Sequence, residues 1–195
     1  MNPQAPAPVS LLHHRPFILY WNARTFAAIA FQMVGVSVGW QMYNLTGSAL
    51  DLGLVGLVQF LPAMVLMMVA GQLADRLDRR RIGIATFALQ AVGAGVLAIL
   101  TALDLASPAG LYVSTFLVGV GFAPGLPAML ALVGVLAGRD RLPEAIALNA
   151  AGINVARLAG PTLGGLMLLI GGPTACFAVN AASFLVLIVV LAGLP

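Results

Sequence analysis

Lysine does not occur in this sequence, cysteine occurs once, and charged residues fill only 8% of the 195 positions. A soluble domain carries roughly a quarter charged residues, so this chain lacks the material to coat a water-facing globule. Nine arginines outweigh six acidic residues for a net charge of +3. A few clustered arginines do not make a basic surface, and nucleic acid is not an expected partner. The lone Cys176 excludes an internal disulfide and a multi-cysteine metal site. It reads as a small apolar residue near a helix end. His13 and His14 stand apart in a polar tail, so no metal is expected, and nothing calls for a cofactor. The first ten residues carry no charge, which argues against a cleavable signal peptide. An intramembrane hydrolase would need paired catalytic groups. The sequence has no His-Glu cluster, no carboxylate pair within an apolar run and no Gly-x-Ser-x-Gly elbow, so an enzyme is not expected.

What the chain has instead is long apolar stretches. Hydrophobic residues make up 61% of it. Crossing the hydrocarbon core takes about 20 apolar residues in a helix. Thr25 to Leu50, Leu52 to Ala74, Ile82 to Leu103 and Leu105 to Gly138 are free of charge. So are Ala145 to Ala156 and, beyond Arg157, Leu158 to Pro195, which Gly171-Gly172-Pro173 punctuates. In lipid every backbone polar group must be bonded internally, so such runs must be helices. They are too long and too uniform for barrel strands. The simplest parse is an all-α membrane protein: a tail over 1–16, then a six-helix bundle over 17–195. The spans run about 17–45, 50–74, 82–104, 109–136, 143–170 and 173–194.

The arginines orient that parse. With the N-terminus in the cytoplasm, Arg15, Arg24, Arg76, Arg79, Arg80, Arg81, Arg139 and Arg141 fall on the inner side, and the outer connections receive none. This asymmetry is the positive-inside signal of a multi-pass protein in the bacterial inner membrane.

Between the second and third helices the chain reads Gly71-Gln-Leu-Ala-Asp75-Arg76-Leu-Asp78-Arg79-Arg80-Arg81. Gly71 permits close helix approach at the membrane boundary, and Asp75 can form charge-assisted bonds with the arginines beside it. Such a run also serves as a plain topological anchor. Its ordered spacing, however, resembles the signature loop of the major facilitator superfamily, G-x-L-A-D-R-x-G-R-R. Asp78 departs from the pattern, which usually has glycine there. The resemblance implies that Gly71, Asp75, Arg76, Arg79 and Arg80 belong to a loop that helps gate the inward-facing side.

A second motif lies in the fifth helix, where Gly160-Pro161-x-x-Gly164-Gly165 looks like the antiporter motif of the superfamily's exporters. Ordinary small-residue packing is the plainer reading. The longer string from Asn149 through Asn154 and Arg157 to Gly165 is similar to a subgroup containing enterobactin exporters and macrolide efflux pumps. Asn180-Ala-Ala-Ser183-Phe184 and Leu45-Thr-Gly-Ser48 fit the same subgroup. The resemblance runs from Arg15 onward and implies secondary efflux of a small molecule, a siderophore or a hydrophobic drug, by alternating access with proton coupling. It also implies one half of a twelve-helix transporter, built as a three-plus-three inverted repeat. The expected partners are a small-molecule substrate, the lipid bilayer and a C-terminal six-helix half absent from this chain. A non-transporting half-transporter or membrane scaffold is the alternative.

Arg157 is the most informative single residue. Near the middle of a span it costs about 2.5–3.5 kcal/mol to insert, so it should face the bundle interior or a cavity. Asn154, one turn earlier, shares its face. Gln32, Val36, Gly39 and Tyr43 form one stripe of the first helix. Arg157, Asn154, Gln32 and Tyr43 are therefore the candidates for a substrate cavity, although each also serves as an interhelical hydrogen-bonding group. No carboxylate lies deep in a span. The candidates for proton coupling are Asp51 and Asp104, at the outer helix ends.

Overall fold

A computed structural model describes Leu11, residues 14–76 and residues 78–194. The side chains of residues 68–76, 79, 124, 126–128 and 139 lie outside that description. Among the described residues all regular structure is helical: α1 (Arg15–Thr46), α2 (Ala49–Arg76), α3 (Arg79–Ala102), α4 (Pro108–Ala137) and α5 (Leu142–Gly193), with a 3-10 turn at Arg139–Arg141 before α5.

The helix ends follow local chemistry. Pro16 occupies the first turn of α1, where its missing N–H costs nothing. Gly47 closes α1 with φ 64°, and its N–H donates to the Tyr43 carbonyl. Ser107 caps α4 by accepting from the Gly110 N–H at 3.2 Å. Asp78 caps α3 in the same way, accepting from the Arg80 N–H at 2.9 Å. The residue that departs from the signature pattern thus starts the following helix itself.

α5 is 52 residues long and is not straight. Gly172 sits inside it at φ 67°, ψ −176°, a conformation essentially confined to glycine. Pro173 follows, and the chain bends there into two arms.

Of the helices adjacent in sequence, only α3 and α4 pack extensively on each other; the main contacts otherwise join helices distant in the chain. α1 packs mainly on α5, α3 on α4 and α5, and α2 on α4. One buried cluster lies toward the arginine-bearing end and includes Leu11, Phe17, Tyr20, Ile82, Leu132, Leu187 and Leu191. Another lies toward the opposite end, around Val34, Val38, Met42, Leu97, Leu111 and Phe177. Leu11 ties the tail to the bundle: its N–H donates to Glu144 Oε1 at 3.1 Å and its carbonyl accepts from the His14 N–H.

The outer surface is apolar. Leu158, Leu169 and Ile170 are 79%, 84% and 86% exposed. Exposed leucine and isoleucine on this scale suit lipid rather than water. By length and composition, Arg15–Thr46, Ala49–Met67, Arg80–Ala102 and Leu142–Gly193 are sufficient to cross a membrane, and Pro108–Ala123 is a shorter apolar helix.

Candidate functional site

The seam between α1 and α5 is set by small residues. Gly152, Ala156, Gly160 and Gly164 recur every four residues on α5 and all are buried. They form a narrow ridge on one face that lets two backbones approach. Gly152 meets Trp21 and Thr25, Gly160 meets Ile29 and Gln32, and Gly164 meets the backbone of Met33. Trp21 Nε1 donates to the Leu148 carbonyl at 2.7 Å across the same seam. Holding α5 by this ridge turns the adjacent positions, Ile153 and Arg157, toward a cavity of about 320 Å³.

α1 lines that cavity with Arg24, Ala27, Ala28, Phe31 and Gln32, a helical stripe at i, i+3, i+4, i+7 and i+8. α3 adds Phe87 and Gln90, α4 adds Phe122, Gly125 and Met129, and the second arm of α5 adds Phe184 and Leu187. Four of the chain's nine phenylalanines therefore meet here. They are paired across helices. Phe31 stacks on Phe122 with centroids 5.8 Å apart, and Phe87 on Phe184, also at 5.8 Å.

Two arginines face this apolar space. Arg24 Nη1 donates to the Tyr20 hydroxyl oxygen at 3.0 Å. That hydroxyl donates in turn toward the Met129 carbonyl oxygen at 3.3 Å, with the Met129 sulfur equally close. Arg157 is exposed at the open side of the cavity. Among the described residues the one ion pair is Arg81 to Asp78, at 3.9 Å, so no described carboxylate neutralises Arg24 or Arg157. Gln90 is buried and its amide donates to the Thr86 carbonyl at 3.5 Å.

The structure brings Gln32 and Arg157 together and separates Tyr43 and Asn154 from them. Tyr43 is 55% exposed and lies three turns beyond Gln32, past the end of the cavity. Asn154 is exposed and sits on the α5 surface next to the lining rather than in it. The α1 stripe that lines the cavity runs from Gln32 back to Arg24, not forward to Tyr43. Arg24, Phe31, Phe87 and Phe122 are among the lining residues that the sequence did not assign to a cavity, and Phe184 stood out there only as part of a subgroup motif. The available signal was the spacing of Arg24, Ala27, Ala28, Phe31 and Gln32.

Elsewhere, Asp51 accepts a 2.8 Å hydrogen bond from the Tyr112 hydroxyl, joining α2 to α4 at the end away from the arginines. Asp104 is exposed in the turn after α3, at φ 55°. In the signature loop, Arg80 donates to the carbonyl of Ala192 and so meets the last turn of α5. The side chains at Gly71, Asp75, Arg76 and Arg79 fall outside the described residues. In the antiporter-like motif, Gly160 and Gly164 lie in the α1 seam, whereas Gly165 has nothing within 4 Å of its Cβ position and Pro161 is exposed.

A family model described as transmembrane secretion effector matches residues 6–194. Among curated proteins, the enterobactin exporter EntS of Shigella dysenteriae serotype 1 is 28% identical over 188 residues, covering 96% of this chain and 45% of that protein. The enterobactin exporter EntS of Shigella flexneri is also 28% identical, over 96% of this chain and 46% of its own length. That of Escherichia coli O9:H4 (strain HS) gives 28% identity over 96% and 45%. The chain thus spans just under half the length of the curated relatives it matches. Its lipid-compatible helices, its arginine-bearing cavity and the match along nearly its whole length converge: the chain is a multi-pass membrane protein that belongs to the transmembrane secretion effector family of the major facilitator superfamily.

Proposed function

We propose that this chain forms one six-helix half of a secondary exporter in the bacterial inner membrane. It moves a small molecule outward by alternating access, either a siderophore of the enterobactin kind or a hydrophobic drug. The observation that carries this reading is the cavity, in which two arginines without described carboxylate partners stand beside four phenylalanines. Charged groups within a membrane bundle mark substrate or ion pathways. Helix length supports six crossings. At 1.5 Å per residue, the 52 residues of α5 would reach roughly 78 Å, more than twice a hydrocarbon core of about 30 Å. The bend at Gly172 therefore divides α5 into two crossings, and α1 to α4 supply one each.

The arginine-bearing end faces the cytoplasm on this reading, with the N-terminus inside. A second half covers the exposed apolar faces of α2 and of the first arm of α5, closing the open side of the cavity at Arg157. The signature loop gates the inner side. Coupling to protons falls to Asp51 or Asp104, or to a carboxylate of the second half.

The test is export by the full-length transporter in a strain lacking it, assayed with siderophores and with hydrophobic drugs. Arg157→Ala should cut export about tenfold or more at unchanged membrane abundance. Wild-type export of neither class, or undiminished export by Arg157→Ala, would remove the cavity from the transport path.

A further inference from the structure

The geometry points to Arg24 as an anion-binding residue of the cavity and to Tyr20 as the positioning residue that holds it there. This rests on the reading of the cavity as the ligand site and adds the chemical class of the ligand: a small molecule with a flat apolar body and one acidic group.

Arginine presents five N–H donors in a planar fork, which matches carboxylate, sulfonate, phosphate or phenolate oxygens. The one side-chain acceptor recorded for Arg24 is the neutral Tyr20 hydroxyl, at 3.0 Å. Its charge therefore remains uncompensated among the described residues, and donors are left over. The walls around it are mostly aromatic and aliphatic, with Gln32, Gln90 and Arg157 the other polar groups and no carboxylate among them, so a charge-assisted bond to an acidic ligand gains strength away from water. A cationic or neutral ligand would leave the guanidinium unmatched.

Tyr20 is what makes the placement specific. It lies one helical turn before Arg24 and is 1% exposed. Its ring is fixed in the buried cluster, and its hydroxyl is anchored on the Met129 backbone of α4. Left alone, a long arginine stem near a helix end snorkels toward water. Bound to Tyr20, the head group stays at the cavity wall, and part of its ordering cost is met before a ligand arrives. The same contact ties Arg24 to α4, the helix that also presents Phe122.

The experiment uses the 195-residue chain in lipid nanodiscs, with energy transfer from Trp21 and Trp40 to a dansyl group. Dansylglycine supplies the acid, and dansylamide is its neutral counterpart. The wild-type chain should bind the acid about tenfold more tightly. With Arg157 still lining the cavity, Arg24→Gln should cut the preference about fivefold or more, while Arg15→Gln, outside the cavity, should keep it. Tyr20→Phe should reduce the preference about threefold without moving the affinity for the neutral probe. A purely packing role for Tyr20 would instead weaken both probes equally, which overturns the positioning assignment. Phe122→Ala reads the cavity itself and should weaken both probes. If it does so while Arg24→Gln changes nothing, the anion assignment fails and the cavity reading stands. If neither probe binds, or Phe122→Ala is silent, both fail.

Discussion

Gly164 of α5 rests directly on the backbone of Met33 in α1: a Cβ at Gly164 would fall 2.9 Å from the Met33 Cα and 3.1 Å from its carbonyl oxygen. Backbone cannot swing aside as a side chain can. Gly164→Ala should therefore push the two helices apart and destabilise the chain by about 1–3 kcal/mol. Gly165→Ala, with open space around it, should be nearly neutral. Thermal unfolding of both variants in detergent checks this, and equal melting temperatures would refute the seam.

The Tyr112 hydroxyl and Asp51 Oδ1, 2.8 Å apart, join α4 to α2. Tyr112→Phe should lower the melting temperature slightly, and Asp51→Asn less, because an amide oxygen still accepts. In a double-mutant cycle the two losses should overlap rather than add. The same variants separate structure from coupling. Should Asp51 carry the transported proton, Asp51→Asn would abolish export driven by a pH gradient, whereas Tyr112→Phe would spare it.

Gly172 holds a backbone conformation that other residues reach only with strain of about 1–3 kcal/mol. Gly172→Ala should lower stability by that order and loosen the second arm of α5, which carries Phe184 and Leu187 to the cavity. Ala substitution at Gly193, in ordinary helix with open space beside it, is the control. Cysteine accessibility at position 184 in each background measures the displacement, and an unchanged labelling rate would contradict it.

Arg80 reaches from the start of α3 to a carbonyl in the last turn of α5, where helix carbonyls lack partners in their own helix. Arg80→Ala should lower the melting temperature by an amount worth about 0.5–1.5 kcal/mol. A gating role beyond this would appear as lost export in the population that remains folded, so export per folded molecule is the deciding ratio.

The helical character of the chain was legible because lipid leaves the backbone few options, and Gly171-Gly172-Pro173 announced the bend in α5. The cavity was legible only in part. Arg157 and Gln32 stood out as costly groups in apolar runs. Phenylalanine is as ordinary at a lipid-facing position as at a cavity wall, so only its place on the stripe from Arg24 to Gln32 separated Phe31 from Phe26. Arg24 was hidden by its position. Nine residues into α1, it reads as one more cytoplasmic anchor, and only packing against Tyr20 and α4 turns it to the cavity. Asp78 gave the opposite lesson, since a departure from a family pattern is also a sound helix cap.

The Leu11 amide and the Glu144 carboxylate lie 133 residues apart in sequence. Synthesis proceeds from the N-terminus, so Leu11 emerges long before its acceptor exists. This one bond cannot form until the start of α5 has left the ribosome. The contact at Leu11 therefore closes late, and a tag fused close to Leu11 would interfere with a late step of assembly rather than an early one.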